Sequence, residues 1–211
     1  MRVWIVSNGD IVDYGFYKDK IGPSDFIICA DGGTKHAVKM GILPNVILGD
    51  FDSIGKEYFN DEQLENIEFI QYSCDKDETD TQLAVEYAVK LGGTEIVLIG
   101  SLGTRMDHSF ANISLLKMLL DKGITGKILN EHNEIYLTDT KIKLRGQVGE
   151  IVSVLPITEV VTGVTTKGLQ YALNNAQMTF GVPNGISNVL IEEEIEISIK
   201  SGLLMVVKAK D

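Results

Sequence analysis

The run Thr79-Asp80-Thr81-Gln82-Leu83-Ala84-Val85-Glu86-Tyr87-Ala88-Val89-Lys90-Leu91-Gly92-Gly93, followed at once by Glu95-Ile96-Val97-Leu98-Ile99, decides the fold class. Leu83, Ala84, Tyr87, Ala88 and Leu91 recur at helical spacing and give a helix over 80–90 one buried face. Thr79 is placed to cap its start, Gln82 stands three residues on to complete a capping box, and Gly92-Gly93 ends the run. Glu95 to Ile99 then reads as a strand that is apolar on both faces, as strands of a covered parallel sheet are. A helix delivered directly into such a strand is the repeating unit of an α/β layer.

Working outward, Val3 to Val6, Phe26 to Ala30, Val46 to Leu48 and Glu68 to Tyr72 read as further strands. Helices are expected over Thr34 to Lys39, stopped near Gly41, and over Ser109 to Lys122, stopped at Gly123. After residue 126 the pattern changes. Ile128 to Leu137, Lys141 to Leu144, Ile151 to Pro156, Val160 to Thr165, Gln177 to Phe180, Ser187 to Ile191, Glu194 to Lys200 and Leu203 to Lys208 are short strand-like segments. Gly146, Gly149, Gly163, Asn174-Asn175, Pro183-Asn184-Gly185 and Ser201-Gly202 punctuate them, and no helical period of useful length appears. Many short strands joined by turns indicate a sandwich or barrel. The expectation is an α/β N-terminal domain with a mainly parallel sheet over 1–126, followed by an all-β sandwich over 127–211.

Composition narrows the function classes. With 211 residues and 44% apolar content the chain can bury a real core. A net charge of −11 argues against a nucleic-acid-binding surface, which needs a basic stripe, and favours cationic small molecules and metals. Cys29 and Cys74 lack metal-type spacing, and Cys29, inside Phe26-Ile27-Ile28-Cys29-Ala30, reads as a buried structural thiol. No apolar run approaches the roughly 20 residues of a membrane span, and the N-terminal run is too short for a signal-peptide core. A soluble, cytoplasmic protein is expected.

The chemistry concentrates in two acidic clusters, Gly49-Asp50-Phe51-Asp52-Ser53 and Asp75-Lys76-Asp77-Glu78-Thr79-Asp80. Both fall where a strand ends or a helix begins, the usual place for a site in an open α/β sheet. Two charges about 4 Å apart repel by about 4 kcal/mol at an effective dielectric near 20. A cation is therefore expected among them, and Mg²⁺ leads. In extended backbone Asp50 and Asp52 would point the same way, with Phe51 turned to the core. The bland reading is that Asp50 and Ser53 cap a following helix and that Asp77 and Asp80 answer the macrodipole of the helix they open. Ser101-Leu102-Gly103-Thr104-Arg105-Met106-Asp107-His108 follows the strand ending at Ile99, and Gly100 and Gly103 permit a tight loop whose amides can approach phosphate. Arg105 offers a guanidinium fork for phosphate oxygens, Lys76 could add a phosphate contact, and His108 could be a base but is better placed to orient Asp107 or cap the next helix. Asp31-Gly32-Gly33 again follows a strand and precedes a helix.

In order and spacing, Asp31-Gly32-Gly33, the two acidic clusters and Gly103-x-Arg105-x-Asp107-His108 resemble thiamine pyrophosphokinases. The resemblance continues through Asn130-Glu131-His132-Asn133 and Thr165-Thr166-Lys167-Gly168-Leu169 to Gly185-Ile186-Ser187-Asn188, covering nearly the whole chain. It implies transfer of a pyrophosphoryl group from MgATP to the hydroxyl of thiamine, with AMP released. It implies Asp50, Asp52 and Asp80 as Mg²⁺ ligands, and Lys76, Asp77 and Arg105 near the nucleotide phosphates, with Asp31 and Gly32 among the binding residues. Asp107 and Ser187, with Asn188 beside it, would lie near thiamine in a site where two subunits of a homodimer meet. Two departures stand out. Gly103-Thr104-Arg105 replaces a common Gly-Gly-Arg, and where some members stack thiamine on a C-terminal tryptophan the only tryptophan here is Trp4, so that either Phe180 or Tyr171 supplies the packing or the aromatic contact is absent. An in-line attack by the thiamine hydroxyl on the β-phosphorus is expected, catalysed by Asp50, Asp52, Asp80, Arg105 and Asp107, with Asp107 accepting the proton, orienting the substrate or pairing with the thiazolium cation. The rivals are another metal-dependent pyrophosphokinase or nucleotide hydrolase, and a non-catalytic thiamine or nucleotide sensor.

Overall fold

The computed structural model describes residues 1–52, 64 and 67–210. Ser53, expected to cap a following helix, lies outside the described residues. The chain divides into two compact units, Met1–Glu131 and His132–Asp211.

In the first unit, β1 (Arg2–Val6), β2 (Phe26–Ala30), β3 (Val46–Gly49), β4 (Glu68–Gln71), β5 (Glu95–Ile99) and β6 (Thr125–Leu129) run in the order β6-β5-β1-β2-β3-β4. Every pairing among them is parallel. Because Thr125–Leu129 pairs with Glu95–Ile99, the first unit runs past residue 126. Successive residues of β1 alternate between faces and all but Arg2 are buried, so the strand is covered on both sides. Trp4, Val6, Cys29, Ile47, Val97 and Ile99 share one core with Tyr17, Ala37 and Met40. Burial pushes the Cys29 thiol far above its ordinary range, the inert state expected of a structural thiol.

Among the described residues the α-helices are α1 (Tyr14–Lys18), α2 (Thr34–Met40), α3 (Asp80–Lys90) and α4 (Met106–Asp121). α3 has the expected bounds and packs on β1, β2 and β3, burying Leu83, Ala84, Val85 and Ala88. Its capping box is half formed. Thr79 Oγ1 accepts from the Gln82 N–H at 3.2 Å, but the Gln82 side chain donates to Glu86 instead of reaching back. α4 starts three residues before the expected Ser109, so His108 sits inside its first turn.

The second unit contains β7 (Asn133–Thr138), β8 (Lys141–Arg145), β9 (Ile151–Pro156), β10 (Val160–Lys167), β11 (Ala176–Thr179), β12 (Asn188–Val189), β13 (Glu194–Ser198) and β14 (Leu204–Ala209). They form two antiparallel sheets, β12-β9-β14-β7 and β11-β10-β13-β8. Val152, Val154, Leu204 and Val206 of one sheet meet Val161, Val164, Ile195 and Ile197 of the other in a shared core. This is the β-sandwich anticipated. The single segment expected over 128–137 is two strands, β6 and β7, one in each unit.

Candidate functional site

Strand order sets the position of the site. From β1 the sheet grows one way through β2, β3 and β4, and the other way through β5 and β6. Strand order therefore switches direction at β1, and a crevice opens at the carboxyl ends of the strands. It measures about 580 Å³, within the range of small-molecule sites. Ser7 to Asp10 after β1, Asp31 after β2, Asp50 after β3, Gly100 to Arg105 after β5 and Lys76 with the start of α3 line it.

Close backbone approach draws these loops together. Gly9 N–H donates to Gly100 O and Asp10 N–H to Leu102 O, joining the loops after β1 and β5. Gly100 has φ 59°, and a Cβ there would lie 2.4 Å from Ser7 O, so a side chain is excluded on both counts. Gly49 similarly leaves room for Asp31, whose Cβ lies 2.8 Å from where a side chain on Gly49 would begin.

That approach brings Asp31, Asp50 and Asp80 together. Each offers a carboxylate oxygen, and the three oxygens lie within 4.8 Å of one another. Asp31 is only 4% exposed, and Asp50 and Asp80 are half-buried. Such a set of hard oxygen donors suits a divalent cation of the Mg²⁺ type. Lys76 Nζ, 2.5 Å from Asp80 Oδ1, offsets part of the negative charge. Asp52 stands apart from this group. Phe51 has φ 66°, so the backbone between the two acids is left-handed rather than extended. The Phe51 ring packs edge-on against Phe69 at 5.8 Å. Asp52 is exposed, and its N–H donates to Asp50 Oδ1 at 3.2 Å.

The other expected residues sort by place. Arg105 lines the crevice at the start of α4 and makes a 2.5 Å ion pair with Asp107, both exposed. The Arg105 guanidinium holds the Asp107 carboxyl down to about 2. Lys76 also lines the crevice, whereas Asp77 is exposed and outside its lining. Gly32 is buried in the turn Asp31–Gly33, and its missing Cβ makes room for the Asn8 side chain. In the second unit, Ser187 is exposed with φ 58°, and its N–H donates to Ser153 Oγ. Asn188 is fully engaged locally: Oδ1 accepts from Tyr171 N–H, and Nδ2 donates to Tyr171 O at 2.8 Å. Tyr171 and Phe180 are both exposed.

Several crevice residues escape a motif reading. Ser7 and Thr81 hydroxyls share a buried 2.9 Å hydrogen bond. Ser109 Oγ accepts from Gly103 N–H, and Asn112 Nδ2 donates to Ser101 O at 2.7 Å, so two polar residues of α4 hold the loop after β5. Ser109 and Asn112 lie one turn apart, in line with Leu116 and Leu119 on the buried face. Polar residues continuing an apolar stripe were the available signal.

Fold and site together define an α/β protein whose acid-lined crevice suits a polyphosphate accompanied by a hard cation, followed by a β-sandwich. The chain belongs to the thiamin pyrophosphokinase family. Residues 17–128 match the model of the family's catalytic domain and residues 139–204 that of its vitamin B1 binding domain. It is 29% identical to thiamine pyrophosphokinase of Bacillus subtilis over 187 residues, covering 87% of each chain. It is 28% identical to thiamine pyrophosphokinase 1 of Oryza sativa subsp. japonica, covering 87% of this chain and 79% of that one. Among solved structures, the Bacillus subtilis thiamine pyrophosphokinase superposes with a TM-score of 0.90 at 28% identity, over the whole of both chains. That of Geobacillus thermodenitrificans gives 0.86 at 27%, covering 100% of this chain and 98% of the other.

Proposed function

We infer that this chain transfers the pyrophosphoryl group of ATP to the hydroxyl of thiamine, yielding thiamine diphosphate and AMP. The observation that carries this reading is the match to both family domains, 17–128 and 139–204. Mg²⁺ is the proposed cation, held by Asp31, Asp50 and Asp80, and the convergence of their carboxylates supports it. Asp31 replaces Asp52 in this set. When bound, Mg²⁺ supplies charge neutralisation for the phosphates of ATP. Arg105 binds phosphate oxygens from the opposite wall, and the amides of the glycine-rich loop after β5 fix their orientation. Lys76 is retained as a phosphate neighbour and, through its ion pair, as the group that orients Asp80. Asp107 serves thiamine as an anion paired with Arg105 rather than as a base, because a carboxyl held at about 2 is a weak proton acceptor.

Ser187 is proposed to touch thiamine, and Asn188 to present the loop that carries Tyr171. The active form is proposed to be a homodimer, with thiamine bound at the subunit interface. A cytoplasmic setting is supported by two free cysteines, one of them exposed. Among the described residues no helix is long and apolar enough to cross a membrane.

The deciding experiment incubates the chain with thiamine and MgATP and resolves the products by mass. AMP and thiamine diphosphate should appear in equal amounts, and neither without the other substrate. ADP in place of AMP would contradict pyrophosphoryl transfer. AMP formed without thiamine would mark a hydrolase, and stoichiometric binding with no AMP a sensor.

Lys76→Met provides a separate expectation. With one compensating charge gone from the three carboxylates, Mg²⁺ should bind about fivefold more tightly at low salt without nucleotide. Titration calorimetry reads this directly, and unchanged or weaker binding would contradict the charge bookkeeping.

A further inference from the structure

Glu131 lies outside the crevice, yet its carboxylate reaches the loop that forms one wall of it. Oε1 accepts from Val12 N–H at 2.8 Å and from Asp13 N–H at 2.9 Å. Oε2 accepts from the hydroxyl of fully buried Tyr17 at 2.7 Å. One carboxylate thus holds the distal end of the loop that starts at Ser7 and anchors it to the first helix, which Asp13 caps. The near end of the same loop is fixed by main-chain bonds from Ser7, Gly9 and Asp10 to Ile99, Gly100 and Leu102. Asn8, Gly9 and Asp10, all of which line the crevice, belong to the near anchorage, and Ile11 alone separates them from the clamped Val12. Val12 is 85% exposed and adds no packing of its own, although the neighbouring Ile11 packs against the core.

We propose that Glu131 is a positioning residue for nucleotide binding, acting through the loop Ser7–Asp13 that its carboxylate fastens. The proposal rests on the crevice being the MgATP site. Hydrogen bonds to an ionised acceptor are the strong ones; two on this carboxylate hold the loop and the third ties it to the buried Tyr17. Burial raises the Glu131 carboxyl, but the donors from Asp13, Tyr17 and Val12 outweigh it and keep the group below its ordinary value, so the anion is the form that clamps the loop. Small displacements of a binding wall weaken orientation disproportionately, and orientation is what the loop supplies.

The test compares Glu131→Ala, Glu131→Asp and Glu131→Gln with the unaltered chain. For Glu131→Ala, KM for MgATP should rise about tenfold while kcat changes less than about threefold and KM for thiamine stays put. Hydrogen exchange at the Val12 and Asp13 amides should accelerate at least tenfold. Glu131→Gln keeps an oxygen acceptor for both amides but loses the charge, so it should recover only part of the loss, with KM about threefold to fivefold above normal. Glu131→Asp falls short by one methylene and should be intermediate. KM within twofold of normal in folded Glu131→Ala would overturn the proposal, as would equal losses in Gln and Ala. If Glu131→Ala does not fold, Glu131→Asp decides, and an unchanged KM there is the overturning result. Calorimetric binding of MgATP without thiamine is measured in parallel. An unaltered chain that binds MgATP but forms no thiamine diphosphate defeats the functional reading, while the Glu131 comparison is still judged on binding.

Discussion

Asp50→Asn and Asp80→Asn are each expected to lower kcat/KM by about 10³-fold at saturating thiamine, whereas Asp52→Asn leaves it within about threefold. Removing one preorganised electrostatic partner of a transferring group costs about 3–4 kcal/mol, or 10²–10³ in rate. Loss of a carboxylate that also binds the cation belongs at the upper end. The contrast with Asp52 follows from the left-handed Phe51, which separates the two acids, and from the exposure of Asp52. Stability should move the other way. In chelator-treated protein the three clustered carboxylates repel one another, and Lys76 compensates only one of them directly. Asp50→Asn should therefore raise Tm or leave it unchanged, and should abolish the rise in Tm that Mg²⁺ produces in the unaltered chain. Loss of activity with a fall in Tm would indicate damage to the fold. A loss in Asp52→Asn equal to that in Asp50→Asn would restore the pair as the ligand set.

The orientation of Asp52 shows where sequence reading stops. Strict alternation put both acids of Asp50-Phe51-Asp52 on one side, a deduction valid only in extended backbone. The aromatic packing of Phe51 on Phe69, with φ at 66°, breaks that premise and is invisible in the sequence. Asp31 was placed between a strand and a helix and, by the resemblance, among the binding residues, but its nearness to Asp50 depends on the parallel pairing of β2 with β3 and on a glycine 18 residues away. By contrast, helix 80–90 and strands 26–30, 95–99 and 151–156 were legible to the residue, because a helical stripe marks the first and nearly continuous apolar runs mark the others. The five-residue helix Tyr14–Lys18 is too short to show a period, and only its Asp13 cap announces it. Arg105 caps the fourth helix without a side-chain hydrogen bond, which explains why its first turn was missed. The break between β6 and β7 falls at Asn130–His132, a stretch that composition reads as continuous with its neighbours.

Arg105→Ala should lower kcat by about 10²-fold or more while raising KM for MgATP several-fold, and Arg105→Lys should recover only part of either. A guanidinium presents two parallel donors to phosphate oxygens, whereas lysine offers a point charge. The effect reaches beyond the phosphate, because Arg105 also governs Asp107. Their ion pair is exposed, so its removal should leave Tm nearly unchanged. Its consequence should appear instead in the pH profile. With Arg105 present, the Asp107 carboxyl titrates at about 2. The anion that pairs with arginine is then intact above that value and is lost only as the pH falls through it. No acid limb from Asp107 should appear in kcat/KM between pH 4 and 8. In Arg105→Ala the carboxyl returns toward its ordinary value of about 3.9, and a new acid limb should emerge between about pH 3 and 5 in the residual activity. Asp107→Asn in the Arg105→Ala background should erase that limb. The same Asn substitution in the otherwise unaltered chain should raise KM for thiamine more than it lowers kcat, the pattern of a substrate-pairing anion rather than a proton acceptor. An acid limb near neutral pH that vanishes in Asp107→Asn would instead make Asp107 the base, and its ion pair with Arg105 would then have to open before the proton is taken.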